Sequence, residues 1–131
     1  MPFRIRMGVP EMEVYWNDLI HRHDAGHLGK DEERFLKKLG KALRFLEQDP
    51  RHNSLASHEI SDLTHKHGMK IFQSYLENNT PGAGRIFWAY GPEKGDITIL
   101  AVEPHPEDQK RGAYQRIKIS AFPKTSSGGN G

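Results

Sequence analysis

The chain contains no cysteine. That excludes disulfides, thiolate metal sites and a thiol nucleophile. It has no apolar run approaching the ~20 residues of a membrane-spanning helix. The first ten residues, MPFRIRMGVP, lack the apolar core of a signal peptide, so the expected location is the cytoplasm. Neither sign of charge dominates: 19 Lys and Arg stand against 17 Asp and Glu, a net charge of +2. Such mild basicity neither demands nor opposes a nucleic-acid partner. No internal repeat is visible. Histidine is what the chain has in excess. Its eight imidazoles would raise the charge below pH ~6.5.

At 131 residues the chain is expected to form one domain, 1–122. The end, KTSSGGNG, is small and polar, so 123–131 is expected to be a disordered tail. Residues 3–7 alternate, with Phe3, Ile5 and Met7 on one face and Arg4 and Arg6 on the other, as on a strand. From Glu11 the period becomes helical: Met12, Tyr15, Trp16, Leu19 and Ile20 recur until Gly26 and Gly29. A second helix is expected to open at Asp31 as N-cap. It carries the stripe Phe35, Leu36, Leu39, Ala42, Leu43 and Leu46 and stops at Asp49-Pro50. Three β-rich runs follow, GMKIFQSYLEN, GRIFWAYGP and DITILAVEP. YQRIKIS alternates once more and is expected to add a strand or lie along the sheet edge. The expected fold class is α+β: an N-terminal strand and a helical hairpin packed on one face of a mostly antiparallel sheet.

The strand alternation suggests a site. If Ile71, Ile86 and Trp88 pack under the helices, Lys70 and Arg85 emerge together on a bare sheet face. Two cations beside His105 would suit an anion, although most strand cations are only solvated. His105 follows the last strand in EPHPED, between two prolines that fix the local backbone. His58 lies in LASHEI, just before the sheet. One neutral histidine can accept a proton while another donates one. RNA cleavage needs that pair and a cation for the phosphate. The bland reading is that both are satisfied structural histidines. His21, His23 and His27 read as a solvated face or partner surface rather than a metal site. His65 and His67, in THKHG, read as exposed residues of a turn. Lys37, Lys38, Lys41 and Arg44 decorate the outer side of the second helix.

From the helical hairpin through GRIFWAY to the motif after the last strand, residues 11–120 resemble the RelE/ParE toxin superfamily. The resemblance implies a RelE-like ribonuclease fold and a toxin neutralised by a cognate antitoxin. Many members cleave mRNA at the ribosome and so stop translation. It places Arg85 at the phosphate-binding arginine and Lys70 at a catalytic lysine, while Phe72 replaces a second lysine. His58 and His105 match the YafQ-like branch, in which histidines transfer protons. Tyr114 and Arg111 fall where some members carry a C-terminal tyrosine and arginine, and Lys110 joins Arg111 as an RNA contact. The implied enzyme is an endoribonuclease that needs neither metal nor cofactor. The alternative is a non-catalytic member of the same fold that binds or inhibits a protein partner.

Overall fold

The computed structural model describes residues 2–8, 10–77 and 84–103. These form an α+β unit of three α-helices, one short 3-10 turn and a five-stranded mixed sheet. In chain order the elements are β1 (Arg4–Met7), α1 (Pro10–Asp24), α2 (Lys30–Gln48), the 3-10 turn (Asn53–Leu55), β2 (His58–Glu59), α3 (Ser61–His67), β3 (Phe72–Tyr75), β4 (Arg85–Tyr90) and β5 (Asp96–Glu103). The sheet order is β1-β5-β4-β3-β2, with β1 parallel to β5 and the other pairs antiparallel.

α2 is capped two residues earlier than the sequence suggests. Its N-cap is Gly29, whose N–H donates to Glu32 Oε1 at 3.3 Å, and Asp31 lies inside the first turn. Glycine has no capping oxygen, so the side chain three residues on satisfies the orphan donor. The helix ends at Asp49, whose N–H donates to Phe45 O at 2.7 Å. Of the expected stripe, Leu39, Ala42, Leu43 and Leu46 are buried, while Phe35 and Leu36 are partly covered. His23 Nδ1 meets Glu33 Oε1 at 3.2 Å and Arg22 bridges Asp18 and Glu32, which ties α1 to α2.

β5 is buried from Asp96 to Val102, as a near-continuous apolar run suggests. β3 contributes Phe72 and Ser74 to the face that carries Ile86 and Trp88. The turn after α2 reaches this face through hydrogen bonds: Ser57 Oγ donates to Pro50 O at 2.7 Å and lies 2.6 Å from Ser74 Oγ. Trp88 Nε1 also donates to Ser74 Oγ at 2.8 Å, so the buried indole is satisfied.

Several expectations are corrected here. The sheet has no bare face around Arg85, because Phe87, Ala89, Thr98 and Ala101 on that side are also buried. Lys70 does not share a face with Arg85. It lies outside β3, exposed, two residues before Phe72, and Phe72 stacks on Trp88 with ring centroids 4.7 Å apart. The first β-rich run also begins late. Ser61–His67 is a helix ended by Gly68 in the left-handed region, φ 73°, so THKHG is no turn. His67 is accordingly not exposed: its Nε2 is buried without a hydrogen-bond partner among the described residues. Burial, with Lys66 nearby, pushes its pKa below the ordinary histidine value.

Candidate active site

The site is built by register. His58 on β2 pairs with Gln73 on β3, and Gln73 pairs with Phe87 on β4. One step along the same face, Tyr75 pairs with Arg85, and Arg85 pairs with Glu103 on β5. Directly paired residues point to the same side of a sheet. One face therefore carries His58, Gln73, Tyr75, Arg85 and Glu103.

A β-bulge is what brings Glu103 there. Trp88 pairs with Ile99, but Phe87 pairs with Ala101, so Leu100 is an extra residue in β5. Strict alternation from Ile97 and Ile99 would put Glu103 on the Trp88 side. The extra residue reverses the parity, and the carboxylate lands beside Arg85.

The guanidinium sits at the centre of the group. Arg85 Nη1 donates to Gln73 Oε1 at 3.2 Å, and Nη2 pairs with Glu103 Oε1. Its charge lies 5.8 Å from the centre of the buried Phe87 ring. The Arg85 side chain is one-third exposed (33%) and that of Glu103 one-fifth (21%), so water reaches the pair. Gly84 makes this possible. It adopts φ +119°, and a Cβ there would lie 2.6 Å from Glu103 O and 2.7 Å from Leu76 Cδ1.

His58 is exposed at the sheet edge, its ring centroid 6.4 Å from that of Tyr75. Its Nδ1 lies 3.1 Å from Ala56 O. A carbonyl oxygen only accepts, so this contact requires a proton on Nδ1 and leaves Nε2 as the nitrogen free to exchange one. Ala56 holds its carbonyl in place from a left-handed conformation, φ 47°, rare for a residue with a side chain.

Of the residues expected to act together, His58 and Arg85 share this face. Lys70 does not. Arg85 stands opposite Tyr75, at the far end of β3, whereas Lys70 precedes the near end. Five residues at ~3.3 Å each place the two backbones roughly 16 Å apart along the strand. His105, Lys110, Arg111 and Tyr114 lie outside the described residues, as do the YQRIKIS segment and the tail. Gln73, Tyr75 and Glu103 escaped the sequence reading. The alternation of FQSY against GRIFWAY was a usable signal for the first two, but the bulge left no sequence mark for Glu103. Among the described residues no group of three or more His, Asp or Glu could hold a metal ion. No helix among them is long and apolar enough to cross a membrane.

Comparison with protein-family models, curated proteins and solved structures returns no match.

Proposed function

We propose that this chain is a RelE-like toxin, a metal-independent endoribonuclease of the cytoplasm that cuts mRNA at the ribosome and is neutralised by a cognate antitoxin. The observation that carries the reading is the placement of His58 and Arg85 on one sheet face, with Gln73 next to the first and hydrogen-bonded to the second. The order of elements supports it too: a helical hairpin precedes the sheet, GRIFWAY forms an inner strand, and the last strand ends beside Arg85.

In this reading the RNA 2′-hydroxyl loses its proton to His58 Nε2 and attacks the adjacent phosphorus. The 5′-oxygen leaves with a proton from His105. The products are a cyclic phosphate and a 5′-hydroxyl. Arg85 balances the charge that grows on the phosphate. Lys70, at the other end of the strand pair, would meet a neighbouring phosphate rather than the reacting one.

The non-catalytic alternative also has an observation in its favour. Arg85 is already neutralised by Glu103, and an arginine so engaged presents less charge to a phosphate.

The deciding experiment is cleavage of a programmed message on purified ribosomes. His58→Ala and His105→Ala should each lose ~10²–10⁴-fold in rate, the usual scale of positioned proton transfer. Arg85→Ala should raise KM as well as lower kcat. A wild-type chain that cuts nothing, or a His58→Ala variant that melts normally and cuts within ~3-fold of wild type, would remove this mechanism.

A further inference from the structure

Arg85 meets one carboxylate among the described residues, that of Glu103, and it also donates to the neutral amide of Gln73. We infer that Glu103 is a built-in placeholder for a phosphodiester on Arg85: its carboxylate occupies the anion position until a backbone phosphate displaces it. The inference rests on the anion site described above and concerns what occupies it at rest.

Chemistry and geometry both favour exchange. A carboxylate and a phosphodiester each carry one negative charge and offer two oxygens to a guanidinium fork. Swapping one for the other leaves the charge at Arg85 balanced. The Glu103 backbone is held in the ladder opposite Arg85 and packs against Gly84. Its side chain is partly exposed, so it can swing into water by bond rotation while the strand stays in place. Gln73 keeps its hydrogen bond to Nη1 throughout, so the guanidinium would remain oriented as the anion changes. Among the described residues, His58, Tyr75, Arg85 and Glu103 are the titratable groups at this end of the face; its other carboxylate, Asp96, lies at the opposite end of β5, paired with Arg4 and Arg6.

The closed pair would also set selectivity. A ligand pays for displacing Glu103, so its apparent affinity falls by the fraction of molecules in which Arg85 is free. A small monoanion has few further contacts with which to recover that loss. A nucleic-acid strand brings adjacent phosphates and is the class of ligand that can.

The test is binding, kept apart from cleavage by using a short single-stranded DNA oligonucleotide, which has no 2′-hydroxyl and cannot be cut by this route. Fluorescence anisotropy on the full chain compares wild type, Glu103→Gln, Glu59→Gln and the Glu103→Gln/Arg85→Ala double variant. Glu103→Gln should bind the oligonucleotide about 5-fold tighter, the scale set by a partly exposed ion pair. The double variant should lose that gain. Glu59→Gln, an exposed acid on the opposite side of β2, should not reproduce it. Glu103→Asp keeps the charge but shortens the reach, so it should also bind more tightly, and it serves if Glu103→Gln does not fold. Unchanged or weaker binding by a normally melting Glu103→Gln, or an equal gain in Glu59→Gln, would overturn the placeholder. Tighter DNA binding by Glu103→Gln alongside a wild type that cuts no RNA would uphold it and remove the ribonuclease reading instead.

Discussion

Gly84 and Glu103 are neighbours whose backbones touch: a Cβ on Gly84 would lie 2.6 Å from the carbonyl oxygen of Glu103. The same glycine needs φ +119°, outside the range of most residues with a side chain. Gly84→Ala should therefore destabilise the fold by about 1–3 kcal/mol. It should also separate β4 from β5 at the Arg85–Glu103 pair. Urea unfolding gives the first quantity. Oligonucleotide binding by whatever fraction remains folded reads the second. A variant as stable as wild type would show that β4 and β5 need not approach this closely.

Acid should weaken the protein in two stages. His67 has a pKa held down by burial, so the unfolded chain binds its proton more readily. Its contribution is present above the unfolded value of ~6.5 and is lost as pH falls through the lower folded value. Asp96 behaves likewise at lower pH. Its carboxylate is held below the usual range chiefly by the hydrogen bond from Arg4, Nε to Oδ1 at 2.8 Å, against the opposing effect of burial. Its contribution is present above ~3.9 and is lost as pH falls below that. Unfolding free energy measured from pH 8 to pH 3 should decline first below ~6.5 and again below ~4. His67→Leu should flatten the first decline and Asp96→Asn the second. A single decline unaffected by His67→Leu would show that its imidazole takes up its proton equally readily in the folded and unfolded states.

α2 presents Lys37, Lys41 and Arg44 on its exposed side, and none pairs with an acid among the described residues. Lys38 differs: it lies 3.4 Å from Glu77 and is half-buried. If the hairpin carries the partner surface, Lys37→Glu with Lys41→Glu should weaken antitoxin binding at least tenfold and leave ribosomal cleavage intact. Co-purification with the antitoxin and a cleavage assay check both halves. Lost cleavage with unchanged antitoxin binding would place these cations on the RNA side instead.

Much of the fold could be read along the chain. α1, α2, β1, β4 and β5 follow from the change of apolar period between 3.6 and 2. α3 did not, because a seven-residue helix with one buried side chain, Leu63, carries too little period to register. Its signs were subtler: Asp62 in the first turn and Gly68 after the last. β2 is only His58–Glu59, too short for alternation to reveal. Its strand character comes from pairing with Gln73 and Phe72, a contact made across the fold.

The residue types and their local setting were determined by the sequence alone: a histidine in LASHEI, an arginine after a glycine in a β-rich run, an apolar stripe that must be covered. Local covalent geometry and side-chain chemistry suffice for that. Which of them meet was decided by tertiary structure. Lys70 was expected beside Arg85, yet the pairing of Phe72 with Trp88 put it at the other end of the strands. Glu103 would have faced away, yet the single unpaired residue Leu100 turned it onto Arg85. A strand's alternation is local, but its phase against a neighbour depends on every pairing before it. One extra residue reverses that phase, and the chain bears no mark of it until the strands are side by side.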